Sequence, residues 1–340
     1  MRIAVIGAGL SGLSFAHSSR RFADIQLFEK SSGVGGRLAT RRSADYEFDH
    51  GAQFFTCRSY ALKSLLKDDD FQSVVAEWQP KLVTLAPDSE TFKRTWFEPH
   101  YVGAPNMTAF PKRLARGLAI SYSTRVREIS RCGNRWQLKD ENCSKLGVFD
   151  WVVSAIPAPQ VDMLFGAKFI EHSSVKEAQM SPCFALMIAL KDRPQLNFEA
   201  AVAQQSPISW LAINNSKPAR RARYGLVVHS SNEWARAHID EEPTVVENQL
   251  LAALNQLIDP NLLSIQEIDL QRWRYAKVEK AIGKEFLVDE ENRLAAVGDW
   301  CSGNRAEDAF ASGRALAEHL ERILSGSQGL FSTVKSNVSE

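Results

Sequence analysis

Apolar residues in the first thirty positions come in short, unbroken runs. Residues 2–6 are rich in β-branched side chains and predict a buried strand. Residues 13–21 continue as a helix, and residues 25–28 predict a second strand ending at Glu29. Strand-like runs recur at 122–129, 136–138 and 149–155, the last leading into Ile156-Pro157-Ala158-Pro159-Gln160. That proline-punctuated exit predicts a crossover into a second domain. Residues 184–190, 200–203, 209–214 and 226–230 predict an antiparallel sheet, and 244–257 a helix. Near the other end, 294–297 reads as a short strand. Residues 306–323 read as an amphipathic helix with Ala309, Phe310, Gly313, Leu316 and Leu320 on one face. The weakly patterned, Ser-rich residues 326–340 predict a flexible tail. There is no internal repeat.

Composition narrows the class. At 340 residues with 44% hydrophobic and 24% charged residues, the chain reads as a globular protein large enough for two domains. A net charge of +1 favours neither nucleic acid nor an anionic membrane surface. The five cysteines form no CxxC pair, which predicts a reducing, cytoplasmic setting rather than a disulfide scaffold. Arg2 followed by an apolar run superficially looks like a secretion signal, but Gly7, Gly9 and Gly12 interrupt that run. No apolar stretch approaches the ~20 residues that span a bilayer. The seven histidines show no paired metal spacing, so no metal is expected.

Candidate chemistry begins at Gly7-Ala8-Gly9-Leu10-Ser11-Gly12, set between the first strand and the first helix. This is the turn of a dinucleotide-binding βαβ unit. Gly7 serves the tight turn, Gly9 admits a pyrophosphate to the backbone, and Gly12 lets helix and strand pack. Glu29 stands where a carboxylate accepts hydrogen bonds from a ribose diol and repels a 2′-phosphate. Taken alone, this unit does not separate FAD from NAD. Immediately after it, Lys30 leads to Gly33, Gly35, Gly36 and Arg37, a second glycine cluster with a guanidinium for a diphosphate.

The succession of GxGxxG, terminal Glu29 and GxGGR resembles the flavin-containing amine oxidase superfamily. That resemblance implies noncovalent FAD, with the second loop clamping its pyrophosphate. Asp49-His50-Gly51-Ala52-Gln53-Phe54-Phe55 is similar to the family's segment beside the flavin ring. Gly298-Asp299 followed by a turn and the helix carrying Ala309 is similar to its second FAD motif. The same resemblance offers the backbone of Val126 to the adenine. Cys301, next to that motif, reads as a small buried thiol rather than a point of covalent flavin attachment.

Motifs at both chain ends imply an α/β architecture: a Rossmann-type FAD-binding domain with an inserted α+β substrate domain built on an antiparallel sheet. The expected FAD-binding domain comprises 1–58, 113–160 and 286–325, and the substrate domain 59–112 and 161–285, with its sheet over the flavin. No second GxGxxG provides a separate NAD(P)H domain.

Within the superfamily, the finer resemblance is to the bacterial branch of the renalase family. It is carried by Trp210 to Pro218, by Val228-His229 through Trp234 to His238, and by Arg272-Trp273-Arg274-Tyr275-Ala276. Gln271 departs from the histidine more usual there. The resemblance implies oxidation of 2- or 6-dihydro isomers of NAD(P). A hydride passes to flavin N5, NAD(P)+ leaves, and O2 is reduced to H2O2. Flavin N5 carries that chemistry, so no side chain is assigned as catalytic. His229, Trp210, Trp234, Trp273 and Tyr275 are the substrate-binding candidates, and Arg220, Arg221 and Arg223 are candidates for its phosphates. A flavin amine oxidase with Lys277 near the ring, a desaturase, and a non-catalytic redox sensor or scaffold are the alternatives.

Overall fold

The computed structural model describes residues 1–43, 45–221 and 223–334, with side chains described to residue 325. Two compact units divide the chain. One comprises Met1–Gly36, Leu114–Ala178 and Lys280–Glu340; the other comprises Arg37–Arg113 and Gln179–Glu279.

Among the described residues, the first unit has a six-stranded sheet. Its order is Leu287–Asp289, Leu294–Ala296, Trp151–Ser154, Arg2–Ile6, Asp24–Phe28 and Ala119–Ser121. Every neighbouring pair is parallel except the first. Ile3, Ala4 and Val5 are fully buried at its centre. This explains the unbroken apolar run, since a parallel strand covered on both faces has no polar side. The helix Leu10–Ser19 is buried almost all round. It lies against the helix Ala306–Val334 so closely that a Cβ on Gly313 would come 2.1 Å from the Ser11 carbonyl oxygen. Ser14 Oγ donates to the Phe310 carbonyl across the same contact, at 2.7 Å. Of the expected tail, residues 335–340 lie outside the described residues; the backbone up to Val334 belongs to this helix.

Three antiparallel strands, Val126–Cys132, Arg135–Asp140 and Lys145–Phe149, form the meander. The expected strand at 149–155 is two strands meeting at Asp150, because Phe149 belongs to the meander and Trp151–Ser154 to the main sheet. The proline-rich exit caps a helix, with Pro157 as N-cap of Ala158–Phe165. Asp68 caps the short helix Asp69–Gln72.

The second unit has a seven-stranded sheet in the order Ile265–Lys280, Gln179–Leu190, Gly225–Ser230, Ile208–Ile213, Ala200–Ala203, Leu82–Leu85 and Phe92–Arg94. It is antiparallel where the pattern predicts, with one parallel pair between Ala200–Ala203 and Leu82–Leu85. Strand alternation gives its faces different tasks. Leu186, Ile188, Leu211, Ile213, Leu226 and Val228 share one core with Val246, Leu250 and Leu254 of the helix Pro243–Leu257. Met187, Ala189 and Val227 face the other way and pack with Tyr46 and Phe48. That second face carries the candidate site.

Candidate functional site

In the first unit, the strand Arg2–Ile6 ends in the first glycine turn. Gly7 has φ +100°, the left-handed region open to glycine. A Cβ on Gly12 would lie 2.1 Å from the Gly7 carbonyl oxygen, so any side chain there would force the helix off the strand. A Cβ on Gly9 would meet nothing within 4 Å, so the turn borders open space at that point. Gly9, the N-cap of the helix Leu10–Ser19, has no side chain to offer the first-turn N–H groups, the donors that a helix start presents to an anion. Glu29 is buried, and its two carboxylate oxygens accept from the Ala8 and Ser31 backbone N–H groups, both at 2.8 Å. The second glycine loop lies against the first. Gly35 N donates to the Ala8 carbonyl at 2.9 Å, and a Cβ on Gly36 would sit 3.3 Å from Gly9 Cα. A glycine-capped helix start, an open glycine turn and an accepting carboxylate at the second strand's end fit a dinucleotide diphosphate and its ribose.

The C-terminal motif joins this unit through the backbone, with Val297 N donating to the Ser154 carbonyl at 2.9 Å. Gly298 N donates to Ser312 Oγ at 3.1 Å, and buried Asp299 opens the helix Asp299–Ser302. Ala309 is buried in the first turns of Ala306–Val334, and buried Val126 opens its meander strand. Lys30 is exposed. Cys301 is fully buried, and burial pushes its thiol up to about 12, which keeps it an unreactive thiol.

In the second unit, residues 46–55 carry Tyr46, Phe48 and the expected flavin-side segment. Ala52 N donates to the Arg37 carbonyl at 2.8 Å, and Arg37 Nη1 donates to the Ala276 carbonyl at 3.1 Å. Asp49 anchors the segment. One of its oxygens accepts from Thr40 Oγ1 at 2.7 Å and Met107 N at 3.0 Å; the other accepts from Arg220 Nη2 at 2.5 Å and Lys217 Nζ at 3.3 Å. The side chains of Asp49, Lys217 and Arg220 have almost no exposure. Burial alone would raise the Asp49 pKa, but Lys217 and Arg220 outweigh it and hold the carboxyl well below the usual carboxylate range. For Lys217, burial wins against Asp49 and pulls the ammonium down to about 8. Lys217 Nζ also donates to Gln53 Oε1 at 3.1 Å and Asn214 Oδ1 at 3.3 Å. Gln53, expected at the cofactor, thus spends its carboxamide oxygen inside the protein.

Four of the five substrate candidates fall on the same face of the sheet. Trp210 and His229 are cross-strand partners, both pointing away from the helix-covered core. On the strand Ile265–Lys280, Ile268 and Leu270 pack on that core, so alternation places Gln271, Trp273 and Tyr275 on the face of His229. The His50 carbonyl ties this group together, accepting from His229 Nε2 at 3.2 Å and Trp273 Nε1 at 3.1 Å. The Trp273 ring stacks on His50 with centroids 5.1 Å apart. Trp234 lies elsewhere. It stacks on His238 at 4.0 Å and packs on Phe184 in the helix-covered core.

Burial pushes both His50 and His229 down to about 4, so each is a neutral imidazole at physiological pH. Phe54 meets Trp96, His100 and Trp210, with Trp78 behind them, a group of rings that sequence reasoning had not assembled. Arg221 and Arg223 are exposed, and Arg223 pairs with Asp45. Lys277, proposed for the amine-oxidase alternative, is exposed on its strand; among the described residues the buried lysine is Lys217. Its partner Asp49 lies 168 positions away, a pairing that no local sequence signal announces.

Residues 5–68 match the model of NAD(P)-binding Rossmann-like domains, and residues 89–320, more than half the chain, match that of flavin containing amine oxidoreductases. A putrescine oxidase bound to putrescine superposes with a TM-score of 0.72 at 13% identity, over 95% of this chain and 99% of that one. An oxidoreductase from Methanosarcina mazei superposes with a TM-score of 0.69 at 12% identity, over 94% and 100%. Both likenesses are of fold. A "possible lysine-specific histone demethylase 1" of Drosophila melanogaster is 43% identical over 56 residues, 16% of this chain. That match spans only 6% of the fly protein. Among the described residues, no helix is long and apolar enough to cross a membrane.

Proposed function

The chain belongs to the flavin-containing amine oxidoreductase family, and on that premise we propose that it is a renalase-like oxidase of 2- or 6-dihydro isomers of NAD(P). The balanced reaction is dihydro-NAD(P) + O2 + H+ giving NAD(P)+ and H2O2. FAD is the cofactor, and when bound it supplies the two-electron acceptor for the hydride and the route of the electrons to O2.

In the first unit, Gly7 to Gly12 and the start of the helix Leu10–Ser19 would hold the diphosphate. Glu29 would hold the adenosine ribose, and Asp299 the C-terminal side of the cofactor. In the second unit, Trp210, Trp273 and Tyr275 would offer flat apolar surface to a nicotinamide. His229, locked neutral, would offer a polar edge without adding a charge. Trp234 is left out of this role, since its ring is part of the core.

The observation that carries the reading is the gathering of Trp210, His229, Trp273 and Tyr275 on one sheet face. They come from three strands widely separated in sequence. The substrate is already a hydride donor, so the reaction needs positioning more than an acid–base pair. This accords with two histidines that stay neutral above pH 5. Five cysteines with no CxxC pair support a cytoplasmic setting.

A second reading, an amine oxidase, is favoured by Lys217, a buried lysine whose pKa is lowered to about 8. Product analysis under air separates the two. The proposed oxidase releases one NAD(P)+ and one H2O2 per O2 consumed and leaves amines untouched. Aldehyde and ammonia formed from an amine, with the isomers inert, would replace it by the second reading.

A further inference from the structure

The residues Asp49 to Phe54 are held by one buried node. Arg220 alone would neutralise Asp49, and it is further anchored to the Gly103 and Pro218 carbonyls at 2.7 Å and 2.9 Å. A second buried cation on the same carboxylate carries a desolvation cost and adds no neutrality. What Lys217 adds is reach: its one ammonium joins the Asp49 carboxylate to the side-chain oxygens of Gln53 and Asn214. Asn214 Oδ1 also accepts from Asp49 N at 3.2 Å, and its Nδ2 donates to the Glu47 carbonyl at 2.9 Å. The segment is therefore gripped at Glu47, Asp49 and Gln53. Between those grips stands the His50 carbonyl that orients His229 and Trp273.

We propose that Lys217 is a positioning residue for the oxidation: by donating to Asp49, Gln53 and Asn214 at once, it fixes the course of residues 49–54 and, through the His50 carbonyl, the orientation of His229 and Trp273. This rests on the reading that the His229 face meets the substrate. Three acceptors surround the amine nitrogen, and only the ammonium form has three N–H groups to give them. Deprotonation leaves two N–H groups for three acceptors, so one of the three bonds is lost. Because burial brings Lys217 down to about 8, that loss falls within a measurable pH range.

The charged and titratable groups around the node are Asp49, Arg220, His50, His229 and, on the far side of His50, Arg41 and Asp269. Asp49 stays ionised, and both histidines are neutral above pH 5. Lys217, brought down to about 8, titrates between pH 7 and 9.

The test uses the holoenzyme labelled with 15N-histidine, wild type and Lys217→Met, titrated from pH 6 to 10. The His229 imidazole resonances and the limiting anaerobic rate of flavin reduction are followed together. In wild type, the resonances move in one step near pH 8, and the limiting rate falls ten-fold or more across the same step while FAD content is constant. In Lys217→Met, the step is absent and the rate is low and flat. Wild-type resonances without a step near pH 8, or a variant with the wild-type rate and profile, would overturn the proposal. The wild-type titration does not depend on the variant folding. The imidazole signal needs no substrate, so a step at pH 8 with isomers that fail to reduce the flavin keeps the node and discards the substrate class.

Discussion

Replacing Asp49 by Asn removes the one negative charge from a site that holds two buried cations. The side chains of Asp49, Lys217 and Arg220 are between 0% and 1% exposed, so water cannot take over the lost pairing. Breaking a buried pair on one side typically costs about 3–5 kcal/mol. The two cations contribute differently. The Arg220 guanidinium is left as an uncompensated buried charge. Lys217 can escape by deprotonating. With its pKa at about 8, neutralising it at pH 7 costs about 1.4 kcal/mol, which caps its share of the penalty at that pH.

The pH dependence follows from the same number. Between pH 7 and 9 the wild-type lysine loses its proton, whereas the variant's lysine has already lost it. The difference in stability between the two proteins therefore shrinks by about 1.4 kcal/mol over that interval. In wild type, Asp49 itself has a depressed pKa. Its contribution is present above the ordinary carboxylate value of 3.8 and is lost as pH falls below it. Urea unfolding of both proteins at pH 7 and pH 9, followed by far-UV circular dichroism, measures these differences. A loss under about 1 kcal/mol at pH 7 would refute the account of the node as a buried, mutually dependent cluster.

Three other outcomes are expected. Gly313→Ala places a methyl group 2.1 Å from the Ser11 carbonyl oxygen, so the two helices must separate; an unfolding free energy lower by at least about 2 kcal/mol is expected in denaturant titration. Glu29→Ala strands the buried Ala8 N–H and removes the ribose acceptor, so FAD affinity, read by fluorescence titration, should weaken at least ten-fold, about 1.4 kcal/mol. His229→Leu should slow flavin reduction without changing FAD content, and the wild-type rate should show no titration near pH 6.5, because burial keeps the His229 pKa at about 4.

Local patterns were the legible part of the chain. The unbroken run in Arg2–Ile6 reads as a central parallel strand because such strands have no polar face, and the glycine spacing of residues 7–12 reads as a phosphate turn because each glycine answers a separate steric demand. The long strand Ile265–Lys280 was harder to see. It mixes charged residues with apolar ones on both faces, so only its pairing with Gln179–Leu190 in the sheet identifies it. The break at Asp150 was hidden for the opposite reason, since strands of two sheets abut with no turn residue between them.

The site divides in the same way. Trp210, His229, Trp273 and Tyr275 were identified by motif, and alternation along their strands puts them on one face. Trp234 belongs to the same motif but stands on the helix Asn232–Ala237, whose geometry turns its ring into the core. The Asp49–Lys217–Arg220 node could not be read at all. A lysine three residues from an arginine looks like a solvated basic loop until the fold brings a carboxylate to both.

Anaerobic stopped-flow absorbance tests the central claim most directly. The yellow holoenzyme is mixed with the 2- and 6-dihydro isomers of NAD and NADP, with ordinary 4-dihydro NADH and a panel of amines as controls. Rapid bleaching of the flavin band by the isomers alone, reversed by air with release of H2O2, is the predicted result. Bleaching by an amine instead, or a flavin that none of these compounds reduces, would contradict it.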